Sequence, residues 1–158
     1  MTRTFYDGLM TDSDSAGPDI NAITEHILTT FPATKFITIE GASFFSLDEK
    51  HFPNFATIVW NDDNDQASDL ERPGVFRLNI GVTRATFERL VGSDTEPDYT
   101  ALDRLLPHPV YAKQLWISIL NPSTATWRDV VIPLLAEAHD RLAAPRARHQ
   151  TTTRPNDS

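Results

Sequence analysis

The chain has 158 residues, 40% hydrophobic and 23% charged, with no cysteine and a formal net charge of -8. That length suits one domain with a real core, and that composition is globular. The missing cysteines exclude disulfides, thiol catalysis, cysteine zinc sites and iron–sulfur clusters. The acidic balance argues against broad capture of nucleic acid or anionic membrane.

Residues 1–17 are polar and rich in Asp and Ser, and read as a disordered arm with no apolar signal-peptide core. Asp19 is placed to cap a helix in which Ile20, Ile23, Ile27 and Leu28 recur at helical spacing. Phe31-Pro32 ends it. Lys35 to Glu40 alternates polar and apolar residues, several of them β-branched, and predicts a strand with one buried face. Gly41 breaks that strand. Ser43 to Leu47 predicts a second, Asp48 to His51 a turn, and Phe55 to Trp60 a central strand.

Five of the eleven residues from Asn61 to Glu71 are acidic, which reads as a solvated loop. Pro73-Gly74 then favours a turn. In the strand that follows, Val75, Arg77, Asn79 and Gly81 share a polar face. Phe76, Leu78, Ile80 and Val82 share an apolar one, which must face the core. Thr83 is a candidate cap for a helix buried through Phe87, Leu90 and Val91, and Gly92 is placed to end it.

Thr100 to Leu106 predicts one or two helical turns before Pro107 and Pro109. Gln114 to Leu120 predicts the last strand. The final helix starts near Ser123 or Thr124, with a stripe from Trp127 to Leu142, and Pro133 inside it predicts a kink or a new segment. Residues 18–144 thus form one domain, and residues 145–158 read as a disordered basic tail. The fold class is α+β: a mostly antiparallel sheet of about five strands packed by helices, in the order α-β-β-β-β-α-β-α.

Three blocks carry a resemblance: Phe55 to Val59, Asp69 to Val82, and Leu105 to Ala112. With Trp116 to Pro122 and Leu134 to His139, they resemble an uncharacterised domain family known mainly from actinobacteria. That resemblance covers about residues 19 to 143. It implies a fold and a bacterial source, and no activity. The layout from Phe76 to Val91, then Pro109, Tyr111, Lys113, Trp116 and the helix to Leu142, is also similar to the MmcQ/YjbR-like proteins. That similarity implies a compact α+β fold and, by analogy alone, DNA binding.

Arg72, Arg77 and Asn79 are candidate ligand-binding residues, because a guanidinium beside a carboxamide can hold a carboxylate or phosphate. Against that, an arginine on a strand face often pairs with carboxylates of its own chain, and the acidic loop just before Arg77 offers several. His108 and Tyr111, with Lys113 and Trp116 downstream, form a second cluster on a loop stiffened by proline, where His108 is a candidate acid/base. Trp116 and Trp127 read as core aromatics.

His51 near Asp48 and Glu49, or Asp62, Asp63 and Asp65, offer oxygen and nitrogen ligands, but the acidic run lacks the EF-hand pattern of a turn Gly and a twelfth-position Glu, and no metal and no cofactor are expected. P-loop, dinucleotide-binding, nucleophile-elbow and zinc-protease motifs are absent from the sequence. The leading expectation is a cytoplasmic, non-enzymatic binding or interaction module for a small anionic ligand, monomeric or homodimeric, without membrane association. A small metal-independent enzyme using His108 is the alternative, and DNA binding the third.

Overall fold

The structure, a computed structural model, describes the backbone of residues 16–153 and the side chains of residues 16–144. The arm read over residues 1–17 therefore falls almost wholly outside the described residues, as do the side chains of the tail. Helix α1 (Ile20–Thr30) begins where Asp19 accepts a hydrogen bond from the Ala22 amide, and it buries Ile23 and Ile27 completely. Strands β1 (Lys35–Ile39), β2 (Ala42–Ser46) and β3 (Asn54–Val59) follow, each antiparallel to its predecessor. The pairing of β2 with β3 shifts register at Phe45/Ser46, a bulge that turns both Phe55 and Ala56 into the core.

The Arg72–Val75 turn closes with Val75 donating to the Arg72 carbonyl. Gly74 takes a φ of 76°, as the third position of a type II turn requires. Asn121 braces this turn, donating to the Gly74 carbonyl and accepting from the Phe76 amide. Strand β4 (Arg77–Gly81) then runs through the middle of the sheet, with Leu78 and Ile80 in the core as their alternation demands. Helix α2 (Arg84–Val91) is capped by Thr83, which accepts from the Thr86 amide.

The expected helical turn over residues 100–106 does not form. Leu106–Pro107 is instead a two-residue strand, β5, and Leu102 bridges to Leu120. Pro107 has no amide to give, so it suits the outer edge of a sheet. A single 3-10 turn (Ala112–Gln114) leads to β6 (Trp116–Leu120), which starts two residues later than expected because Leu115 adopts a left-handed φ of 70°. The sheet thus has six strands, all paired antiparallel, in the order β1-β2-β3-β4-β6-β5.

The last helix, α3, opens with an α turn (Thr124–Thr126) capped by Ser123. It passes through a π segment (Trp127–Val131) and continues as Ile132–Thr153. The π segment lies directly before Pro133. A proline there cannot donate to the carbonyl four residues back, and its ring crowds that carbonyl, so the helix widens rather than breaks.

Helices α1 and α3 cover one face of the sheet. Val131, Leu134, Leu135 and Ala138 meet Phe45, Ile58, Leu78 and Ile117 there. His139 fills an aromatic role at one end, stacked on Phe31 at 4.2 Å and edge-on to Phe55. Glu137 links α3 to the start of α2: its carboxylate accepts from the Thr83 amide at 3.1 Å and the Thr86 hydroxyl at 2.9 Å. Replacing Glu137 with alanine strands both donors. It is expected to lower stability by about 1–3 kcal/mol in urea denaturation.

Candidate functional site

The second face of the sheet carries the polar residues. Register sets Thr57 of β3, Asn79 of β4 and Ser118 of β6 side by side across three strands. Asn79 donates to the Thr57 hydroxyl at 2.9 Å, and its carbonyl oxygen accepts from Ser118 at 2.7 Å and from Arg77 Nε at 3.0 Å. Two residues along β4 on the same face, Arg77 forms a two-pronged pair with Asp65, at 3.0 and 2.7 Å, and also donates to Ser68 at 2.9 Å. Four of its five N–H groups are engaged.

This polar face is not open to water, as its residue types would suggest. Arg77 is 1% exposed and Asn79 equally buried, because the acidic loop folds back over β4. Asp62 helps hold the loop by accepting from the Leu70 amide, and Asp65 accepts from the Ala67 amide. The hydrogen bonds from Arg77 outweigh burial, which pushes the other way, and with the Arg77 charge keep the Asp65 carboxyl below the usual carboxylate range. Asp65 thus balances the Arg77 charge within the chain.

His108 follows the edge strand β5 and donates its amide to the Trp116 carbonyl. Its ring nitrogen Nδ1 accepts two backbone bonds, from Val110 and Tyr111, both at 3.0 Å. Two donors at Nδ1 require that nitrogen to be unprotonated, so the neutral ring carries its proton on Nε2. Burial, helped by the positive charge of Arg77 and partly offset by Asp65, pushes the imidazole down to about 4. At neutral pH His108 is therefore an uncharged hydrogen-bond donor. The Tyr111 ring lies 5.1 Å away.

Arg77, Asn79, His108 and Tyr111 line one cleft of about 650 Å³ on this face, together with Thr57 and Asp65. That volume is in the range of small-molecule sites. Two other candidates are elsewhere. Lys113 sits exposed on the 3-10 turn and does not line the cleft. Arg72 donates to the carbonyls of Asp69, Ser68 and Thr100, which ties the acidic loop to the next loop along. Arg72 does line a larger groove, of about 890 Å³, between the start of α1 and the Arg72–Val75 turn. That groove gathers none of the convergent polar network of β4, so the site is placed in the smaller cleft.

Phe52 and Arg141 are among the lining residues that the sequence did not single out for a site, whereas Trp116, which stands downstream of His108 in the same cluster, does line the cleft. Trp116 is only half-buried, and its indole lies on Gly81, where an added Cβ would come within 3.3 Å of two ring atoms. Trp127 does pack against the core, edge-on to His26. Gly81→Val is expected to unseat the Trp116 indole while leaving the sheet intact. The check is a shift of the Trp116 indole N–H resonance, with the Trp60 and Trp127 signals unmoved. Among the described residues no three His, Asp or Glu side chains come together in a way that would hold a metal ion.

Fold and site together define an α+β protein with helices on one face of an antiparallel sheet and a loop-walled cleft on the other. The chain belongs to a family of unknown function, DUF6194, whose model matches residues 18–152. No curated protein and no solved structure matches it.

Proposed function

We propose that this protein binds a small organic molecule in the cleft above Asn79, and that it does so without catalysing a reaction. The observation that carries this reading is the character of the floor. Its polar groups, from Thr57 through Asn79 to Arg77 and Asp65, satisfy one another. Phe52 and Tyr111 meanwhile stand 72% and 54% exposed at the walls. A saturated polar floor fixes shape at little cost to an arriving ligand, and exposed aromatic walls gain by being covered.

Acid–base catalysis at His108 has less support. An imidazole at about 4 is almost wholly unprotonated at neutral pH, and its basic nitrogen is occupied by two backbone amides. DNA binding has only the fold analogy behind it, against a net charge of -8. No helix among the described residues is long and apolar enough to cross a membrane. A cytoplasmic location is our reading, and an actinobacterial source and kinship with MmcQ/YjbR-like proteins rest on motif resemblance alone.

The test is a titration of the full chain with monocyclic and bicyclic aromatic compounds at millimolar concentration, followed by amide and side-chain NMR shifts. Shifts confined to Thr57, Asn79, His108, Tyr111 and Trp116 support the reading. Shifts that are scattered over the surface, or absent, overturn it.

A further inference from the structure

The charge of the cleft differs from the charge of the protein around it. Its lining holds three permanently charged groups at neutral pH: Asp65, Arg77 and Arg141. Asp65 and Arg77 cancel in a bidentate pair. His108 is neutral. Arg141 remains, exposed on α3, and it forms no ion pair among the described residues. A chain of net charge -8 thus has a cleft lined by one surplus positive charge. The Trp116 indole, seated on Gly81, lines the same cleft. No aromatic ring of the described residues stacks on it.

From this juxtaposition we infer that the cleft selects an aromatic monoanion: a planar ring held against Trp116, with a carboxylate held by Arg141 at the rim. This rests on the binding reading given above and names the ligand class for the same site. It also moves the anion contact away from Arg77. That guanidinium has one free N–H and a neutralised charge, whereas Arg141 offers an unshared fork suited to a carboxylate. His108 adds a neutral donor from Nε2, which suits a second, uncharged acceptor on the ligand, such as a hydroxyl or carbonyl oxygen. The rim position of Arg141 makes the charge contribution modest and sensitive to salt.

The experiment compares 1-naphthoate with the uncharged 1-naphthamide on the full-length protein and on Arg141→Gln, by calorimetry at low and at high salt. Arg141 is an exposed helix residue, so its replacement leaves the fold in place. Wild type is expected to bind the carboxylate roughly fivefold more tightly than the amide at low salt, and the preference is expected to shrink as salt rises. In Arg141→Gln the preference vanishes while the amide affinity is unchanged. Equal affinity for the two compounds in wild type, or a preference that survives in the variant, overturns the anion assignment and leaves the binding reading standing. Binding of neither compound overturns both.

Discussion

Arg77→Ala is expected to destabilise the protein by about 3–5 kcal/mol, a large share of the stability of a domain this size. Arg77 is fully buried and its partner Asp65 partly so, with side chains 2% and 17% exposed. Removing the guanidinium leaves a carboxylate under the loop with no counter-charge, and it takes donors away from Asn79 and Ser68. The loss is one of orphaned partners more than of attraction. A double variant, Asp65→Leu with Arg77→Met, is therefore expected to recover much of it, since a buried ion pair gains little over apolar side chains that fill the same space. Urea denaturation of both single variants and the double closes the thermodynamic cycle. If the two losses simply add, the pair is not the unit described.

The second large effect concerns acid. An unfolded chain protonates a histidine near pH 6.5, whereas folded His108 resists protonation down to about 4. Between those values the unfolded state binds more protons. Stability therefore falls as the pH drops through this window, by up to about 3 kcal/mol, and is fully present above pH 6.5. His26, held low by burial in the helical layer, adds to the fall in the same direction. His108→Asn offers an acceptor to the Val110 and Tyr111 amides but cannot titrate. Its stability is expected to decline less steeply from pH 6.5 to pH 4 than that of the wild type. Parallel slopes would show that His108 is solvated and ordinary.

Local signals made much of the fold legible in the sequence. Asp19, Thr83 and Ser123 each cap the helix they precede, because capping depends on a hydrogen bond only two or three residues away. The core face of β4 follows from strict alternation of Phe76, Leu78, Ile80 and Val82. What stayed hidden depends on contacts between distant segments. Strand β5 is two residues long and exists only because β6 lies beside it. Burial of the polar face of β4 requires Asp65 to travel back over a strand that begins twelve residues later.

The site was legible in the same uneven way. Arg77, Asn79, His108 and Tyr111 were visible as chemistry and do meet in one cleft, although the pairing of Arg77 with the acidic loop was only one of its two open fates. Arg141 carried no signal of its own in the sequence, standing beside Leu142 at the end of the helix stripe as one more charge on a helical face. Only the path of α3 past the start of β3 takes it to the cleft. Trp116 stands with His108 and Tyr111 in the sequence but reads there as a core aromatic, and it is its seat on Gly81 that leaves the indole half-buried in the cleft wall.

The saturated floor has an engineering consequence. Every side chain in it answers to another, so Arg77, Asn79 and Ser118 leave little room for change. Much of the wall comes from three separate stretches, Phe52 to Asn54, then Val110, Tyr111 and Gln114, and Arg141 with Leu142, and none of these takes part in the floor's hydrogen bonds. A randomised library confined to those stretches would alter what the protein recognises while the scaffold beneath stays constant, much as variable loops are carried on an invariant frame.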